Sequence, residues 1–368
     1  MDWASLIEWT IKSLALILAL LGGFAYLTLF ERKVLARFQV RIGPNRAGPF
    51  GILQPVADGI KLIFKEELIP ANADKIIFIL APIVTVVPAL VIMAVVPFGP
   101  PIQLFGRTIT LQVTDLNVGI LYIMAIASIS VYGIVLAGWS SNNKYATLGG
   151  IRSSAQMISY ELALGLAFTG PILLTSSLSL TEIVEAQRGV WFVLYQPIGA
   201  FIFWVSTLAE VNRAPFDMPE AEQELTAGYH TEYSGMKFAL FFMAEYVKMI
   251  AVSAIAVTLF FGGYRGPFVD QLPILGPIYF LLKVVGFLFL MVWVRATLPR
   301  IRYDRLMAFG WKVLFSLALG NAMLTALGIL LADTYQNPLW LWSIPIMTIA
   351  FFLLVVYSMR GSIAGGNK

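Results

Sequence analysis

Runs of apolar residues recur along the whole chain, each closed by a short polar or basic stretch. An α-helix needs about 20 such residues to cross the hydrocarbon of a bilayer, so the pattern predicts transmembrane helices. Nine spans follow from it: 11–30, 76–97, 116–139, 155–175, 191–210, 238–262, 275–296, 311–332 and 340–359. The fourth is the least regular, because "ISYELALGLAFTGPILL" carries a glutamate and ends in a Gly-Pro pair. No fixed-period repeat, low-complexity tract or linker divides the chain, so residues 1–368 read as a single polytopic membrane domain. The expected fold is an all-α integral membrane bundle.

Two polar segments break the pattern. The first runs from Glu31 to Glu67, and its middle, "GPNRAGPFG", is turn material. After it Ile52, Val56, Ile60 and Phe64 fall at i+4 steps, with Asp58, Lys61 and Lys65 on the opposing face. That predicts an amphipathic helix lying in the membrane interface over 52–65. A simple basic lipid anchor would show the same apolar face, but it would not need the interleaved acids Asp58, Glu66 and Glu67. The second segment, "AEVNRAPFDMPEAEQELTAGYHTEY", holds six of the chain's 21 carboxylates: Glu210, Asp217, Glu220, Glu222, Glu224 and Glu232. Asp217 followed by Glu220 fits a capping box, with Pro219 in the first turn and Gly228 as a stop. "MPEAEQELTA" therefore reads as a short helix with Glu220 and Glu224 on one face and Glu222 on the other.

Composition agrees with a membrane protein: 59% hydrophobic, 12% charged, mean hydropathy +0.81. Charge placement orients it. Of the 25 Lys and Arg residues, 17 fall in loops after odd-numbered spans or in the tail; the opposite loops hold Arg107, Arg188 and Arg265. Basic loops stay on the cytoplasmic side, which puts the N-terminus on the outer (periplasmic) side and the acid-rich segment inside. The N-terminal residues lack the basic start of a signal peptide, so the first run is expected to remain as a span. The chain has no cysteine and one histidine, His230. Disulfides, thiolate-held clusters and paired-histidine haem ligation are thereby excluded. No metal site or phosphate-binding loop is recognisable, and nothing points to nucleic acid.

Several charges fall within spans: Glu161 in the fourth, Glu210 at the inner end of the fifth, Glu245 and Lys248 in the sixth, Lys283 in the seventh. Ionised groups at such depth are paired, water-linked or neutralised. Glu245 and Lys248, at i,i+3, are spaced to neutralise each other. Glu161 and Lys283 must look to other helices. Together with the six acids they outline a chain of protonatable sites from the cytoplasmic face into the membrane. Residue types alone leave proton or cation movement open beside a second reading, a docking surface for a basic partner.

The two polar segments, "ERKVLARFQVRIGPNRAGPFGILQPVADGIKLIFKE" and "AEVNRAPFDMPEAEQELTAGYHTEYSGMKFALFFMAEY", resemble signature segments of a membrane-subunit family, the ND-one type, of respiratory complex I, the proton-pumping NADH:quinone oxidoreductase. "RATLPRIRYDRLM", Arg295 to Met307, is similar to a third. The resemblance extends from about Thr10 to about Ala332. It implies a family core of eight transmembrane helices, leaving the segment after Asp333 as an additional ninth. It also implies an amphipathic interfacial helix and an acidic cytoplasmic loop. A protein of this family forms the membrane part of the quinone chamber, couples quinone reduction to proton translocation, and contains no redox centre of its own. Iron–sulfur clusters and FMN are then expected only in partner subunits, and quinone is a substrate.

Carried onto this sequence, the resemblance implies quinone-binding roles for Arg41, Asp58, Lys61, Glu210, Arg213, Asp217 and Arg300. It implies a proton path through Glu161, Glu210, Glu220, Glu222, Glu224, Glu232 and Glu245. Implied partners are the peripheral quinone-chamber subunits, neighbouring small membrane subunits and the lipid bilayer. "GPNRAGP", where cyanobacterial and plastid versions have "GPEYAGP", points to a bacterial plasma (inner) membrane. The alternatives are the homologous anchor subunit of a membrane-bound hydrogenase and a stand-alone proton or cation transporter.

Overall fold

The computed structural model describes residues 3–104, 107–218 and 226–365. The chain begins with α1 (Trp3–Phe38), a helix of 36 residues. At 1.5 Å per residue that is about 54 Å, well beyond the roughly 30 Å of a hydrocarbon core. The expected loop therefore starts as helix, and Glu31 lies on it. After the turn, α2 (Gln54–Ile63) takes the place of the predicted amphipathic helix, shorter at both ends. Pro55 suits its first turn because the missing N–H would have no intrahelical partner there. Val56, Ile60, Ile63 and the following Phe64 are exposed, so the rest of the chain leaves its apolar face uncovered.

Then come α3 (Lys75–Val91), α4 (Gly119–Ser140) and α5 (Lys144–Thr175), packed side by side. Asp74 caps α3 by accepting from the Ile77 N–H at 3.4 Å, and Asn143 caps α5 by accepting from the Tyr145 N–H at 2.9 Å. That second cap starts α5 earlier than the predicted span at 155. Glycine lets these helices approach. A Cβ on Gly133 would collide with the Thr85 hydroxyl, and one on Gly138 would lie 2.7 Å from the Ala146 carbonyl oxygen.

The fifth span departs from expectation. Instead of one helix over 191–210 there are α7 (Phe192–Tyr195) and α8 (Pro197–Glu210), after a short α6 (Leu180–Ala186). Pro197 cannot donate to the helix before it, so the ladder breaks at Gln196. Fourteen residues of α8 span about 21 Å, short of a full crossing. Beyond α8 lie α9 (Gly235–Phe260), α10 (Leu275–Thr297), α11 (Tyr303–Thr334, with a π-turn at Gly310–Leu314) and α12 (Ser343–Gly365). Among the described residues, eight helices are long and apolar enough to cross a membrane, and α8 is a shorter apolar one. A small antiparallel hairpin, β1 (Ile102–Leu104) with β2 (Arg107–Ile109), has no counterpart in the apolar pattern, because three-residue strands leave no readable period.

α9 is the central helix. In its most apolar stretch 72% is buried, against 11% for the last span, Pro338–Tyr357, which lies on the outside of the bundle. A separate aromatic cluster of Phe78, Tyr229, Tyr233 and Phe241 holds the segment before α9 against α3. The Phe78 and Tyr233 rings stack at 4.0 Å, and the Tyr233 hydroxyl donates to the Phe78 carbonyl at 3.2 Å. Burial pushes the Tyr233 phenol up to about 12, against a partial offset from the Ser140 hydroxyl. It therefore stays a donor at any physiological pH.

Candidate functional site

The site is built where α1, α8 and α10 end. Past Glu210 the backbone turns sharply, with Asn212 at φ 54. Gln156 of α5 holds this turn in place: its side-chain amide donates to the Ala209 and Phe216 carbonyls, each at 2.8 Å. The turn aims Arg213 inward, where it is 3% exposed. Its guanidinium pairs with Glu245 of α9 at 2.6 Å and with Glu31 of α1 at 3.2 Å, and lies 4.3 Å from the centre of the Tyr246 ring. Glu31 also pairs with Arg295 of α10. Burial alone would lower the Arg213 pKa, but the carboxylates of Glu245 and Glu31 outweigh it and raise it well above the usual value. Two cations and two carboxylates thus offset one another in a buried site.

Beside this cluster lies a cavity of about 100 Å³, lined among others by Glu210, Asp217, His230, Glu245 and Lys248. Asp217 accepts from Arg300 at 3.3 Å, which joins the second signature segment to the third. A smaller cavity of about 30 Å³ lies deeper, between Glu161, Thr207, Glu210, Lys248 and apolar side chains. Both exceed the roughly 10–15 Å³ that one water requires. Among the described residues, Glu210 and Lys248 line both. At the deep end Glu161 is hydrogen-bonded to Ser128 of α4. Lys248 donates to Ser130 of the same helix at 2.5 Å.

The structure brings Glu161, Glu210, Arg213, Asp217, Glu245 and Arg300 into this one region. The other candidate residues lie elsewhere. Asp58 is held by Arg32 of α1 at 2.6 Å and by Gln54 at 3.1 Å, with Lys61 at 3.9 Å. Arg41 is exposed and donates to Gln39 at 2.7 Å. Glu232 accepts from Asn143, at the start of α5, at 2.6 Å and lines neither cavity. Glu220, Glu222, Glu224 and most of the predicted short helix lie outside the described residues. The spacing of Glu245 and Lys248 suggested mutual neutralisation; instead Glu245 turns to Arg213 and Lys248 to Ser130. Lys283 does not join the acids. It donates to the carbonyls of Phe261, Gly263 and Arg265 at 2.6, 3.0 and 2.7 Å and lies 4.6 Å from the Trp191 ring centre, at the opposite end of α9.

A sequence model of the NADH dehydrogenase family matches residues 11–326, ending before α12. The chain is 55% identical over 302 residues to the NADH-quinone oxidoreductase H subunit of Protochlamydia amoebophila, covering 82% of this chain and 91% of that protein. Against the H subunit of Thermomicrobium roseum it is 52% identical over 337 residues, covering 89% and 97%. An H subunit of Geobacter metallireducens is 54% identical over 301 residues, with coverage of 82% and 90%. These relatives favour the oxidoreductase over a hydrogenase anchor or a lone transporter. With both signature segments meeting at one buried site inside an all-helical membrane bundle, the chain belongs to the NADH dehydrogenase family, among the H subunits of NADH-quinone oxidoreductase.

Proposed function

We propose that this protein forms the membrane part of the quinone chamber and starts the path along which quinone reduction drives protons into the membrane. The observation that carries the reading is the pair of cavities meeting at Glu210 and Lys248, with Asp217 and Glu245 on one side and Glu161 on the other. Each cavity has room for water, so a proton can pass between carboxylates too far apart to touch. Carboxylates in a low-dielectric site also sense one another's charge, so protonating one alters the next.

In this reading Glu210, Arg213, Asp217 and Arg300 surround the quinone head group, and Arg41, Asp58 and Lys61, outside that cluster, contact quinone on its way in. Glu220, Glu222, Glu224 and Glu232 belong to the proton path, and Glu245, Glu210 and Glu161 carry the proton inward. Quinone is the substrate, supplied with electrons by iron–sulfur clusters and FMN in peripheral partner subunits. Small membrane subunits flank the bundle. The chain sits in a bacterial plasma membrane with its N-terminus outside, an orientation that its distribution of Lys and Arg supports.

Glutamine keeps the size and polarity of glutamate but carries no proton. Glu210→Gln and Glu161→Gln should leave the complex assembled and NADH oxidation by a soluble artificial acceptor intact. Quinone reduction per assembled complex should fall by roughly a hundredfold or more, the range of a lost proton-transfer group. If the acids serve to dock a basic partner, the peripheral subunits would leave the membrane instead, with normal quinone reduction in whatever complex remains. Full proton-coupled quinone reduction in both variants would rule out the path.

A further inference from the structure

Lys248 is a buried cation, 6% exposed, at the junction of the two cavities. One of its N–H groups goes to Ser130, whose own hydroxyl donates to the Ala127 carbonyl at 2.6 Å, so Ser130 offers Lys248 a lone pair. An ammonium has three donors. The two others are left for the cavities, which, among the described residues, Lys248 shares only with Glu210. The charges that act on it are the carboxylates of Glu210, Glu245 and Glu161. Glu245 also pairs with Arg213, whereas Glu210 lines both cavities beside Lys248 and Glu161 lines the deeper one.

We propose that Lys248 is a proton-carrying link in the path, not a fixed counter-charge. This rests on the proton-path reading above. The ammonium gives a proton through cavity water to the Glu161 carboxylate: an N–H bond breaks, an O–H bond forms, and a neutral amine and a carboxylic acid remain. The amine then takes the proton of a protonated Glu210, restoring the ammonium and leaving Glu210 ionised. Charge and protons balance, and Ser130 keeps the nitrogen in place in both states because a hydroxyl can accept from either.

Substitution separates a carrier from a counter-charge. Arginine keeps the positive charge but does not deprotonate in proteins, histidine can release a proton, and methionine can do neither. Each variant is made in the whole complex, and quinone reduction and proton uptake are normalised to the soluble-acceptor activity of the same membranes. The carrier role predicts that Lys248→Arg loses coupled activity as fully as Lys248→Met, roughly a hundredfold or more. Lys248→His retains more than Lys248→Met, with its pH optimum moved down. Near-normal activity in Lys248→Arg or in Lys248→Met overturns the proposal. If the arginine variant does not assemble, the histidine and methionine pair decides it, and equal rates overturn it. Glu161→Gln and Glu210→Gln run alongside. Loss in those two with activity kept in the Lys248 variants leaves the path standing without its lysine, whereas activity kept in the glutamine variants removes both.

Discussion

Arg213 ties together parts of the chain that are far apart in sequence. Its partner Glu31 lies 182 residues away, and Arg295 reaches the same carboxylate from a separation of 264. Removing one member of a buried ion network leaves the others charged and desolvated, at a cost of about 3–5 kcal/mol. Arg213→Met should therefore lower both the amount of assembled complex and its thermal midpoint. Arg213→Lys should do the same to a lesser degree, because a point charge cannot span two carboxylates as a planar guanidinium does. A melting curve for the purified complex that matches the wild type would show that the network contributes nothing to stability. At this scale the sequence marked Glu210 and Glu245, since charges among apolar residues stand out, while Arg213 entered only through the family resemblance. It missed Glu31 as a site residue, because an acid at the end of an apolar run looks the same whether it faces solvent or turns inward. Ser128 and Ser130 were equally silent: hydroxyls in spans usually bond their own helix, and what distinguishes these two is the acid and the lysine opposite.

Among the elements, α2 best matches its sequence pattern. An i+4 apolar row against charged positions has one stable arrangement at an interface, and the exposed Val56, Ile60 and Phe64 follow it. The structure adds the latch. Asp58 on α2 pairs with Arg32 on the long extension of α1, which ties the amphipathic helix to the first span. Asp58→Asn loses that charge pair. It should depress quinone reduction while the complex still assembles, as measured by quinone-reductase rate against soluble-acceptor rate. A plain lipid anchor predicts no change, since removing one negative charge only strengthens attraction to anionic lipid. The break before α8 is the element least visible in the sequence. "VWFVLYQPIGAFIFWVSTL" is apolar enough to read as one span, and its single Pro197 barely alters that average. Hydropathy averages over a window, whereas a helix stops at one missing N–H.

For the whole molecule, the distribution of Lys and Arg predicts that loops 31–75, 140–154, 211–237 and 297–310 all face the cytoplasm. Because the chain has no cysteine, single cysteines placed in these loops report their side directly. A cysteine at position 222 should react with an impermeant reagent only in inverted vesicles; labelling from outside in intact cells would reverse the orientation. The spans, the interfacial helix and the family all rest on near-range features: run length, i+4 spacing and contiguous motifs. Those survive in a one-dimensional string because the bilayer imposes the same demand on every helix separately, to present about 20 apolar residues and satisfy its own backbone. Which charges meet is a different matter. Glu245 has Lys248 one turn away on its own helix yet pairs with Arg213, because the turn after α8 brings a guanidinium to it. Lys283 looked like part of the acidic chain but holds three carbonyls at the far end of α9. The sequence by itself determined that charges fall within the apolar helices and at which positions. Only the packing of α1, α4, α5, α8 and α9 around one another decided their partners, because Coulomb and hydrogen-bond energies depend on distances of a few ångströms that sequence separation does not encode.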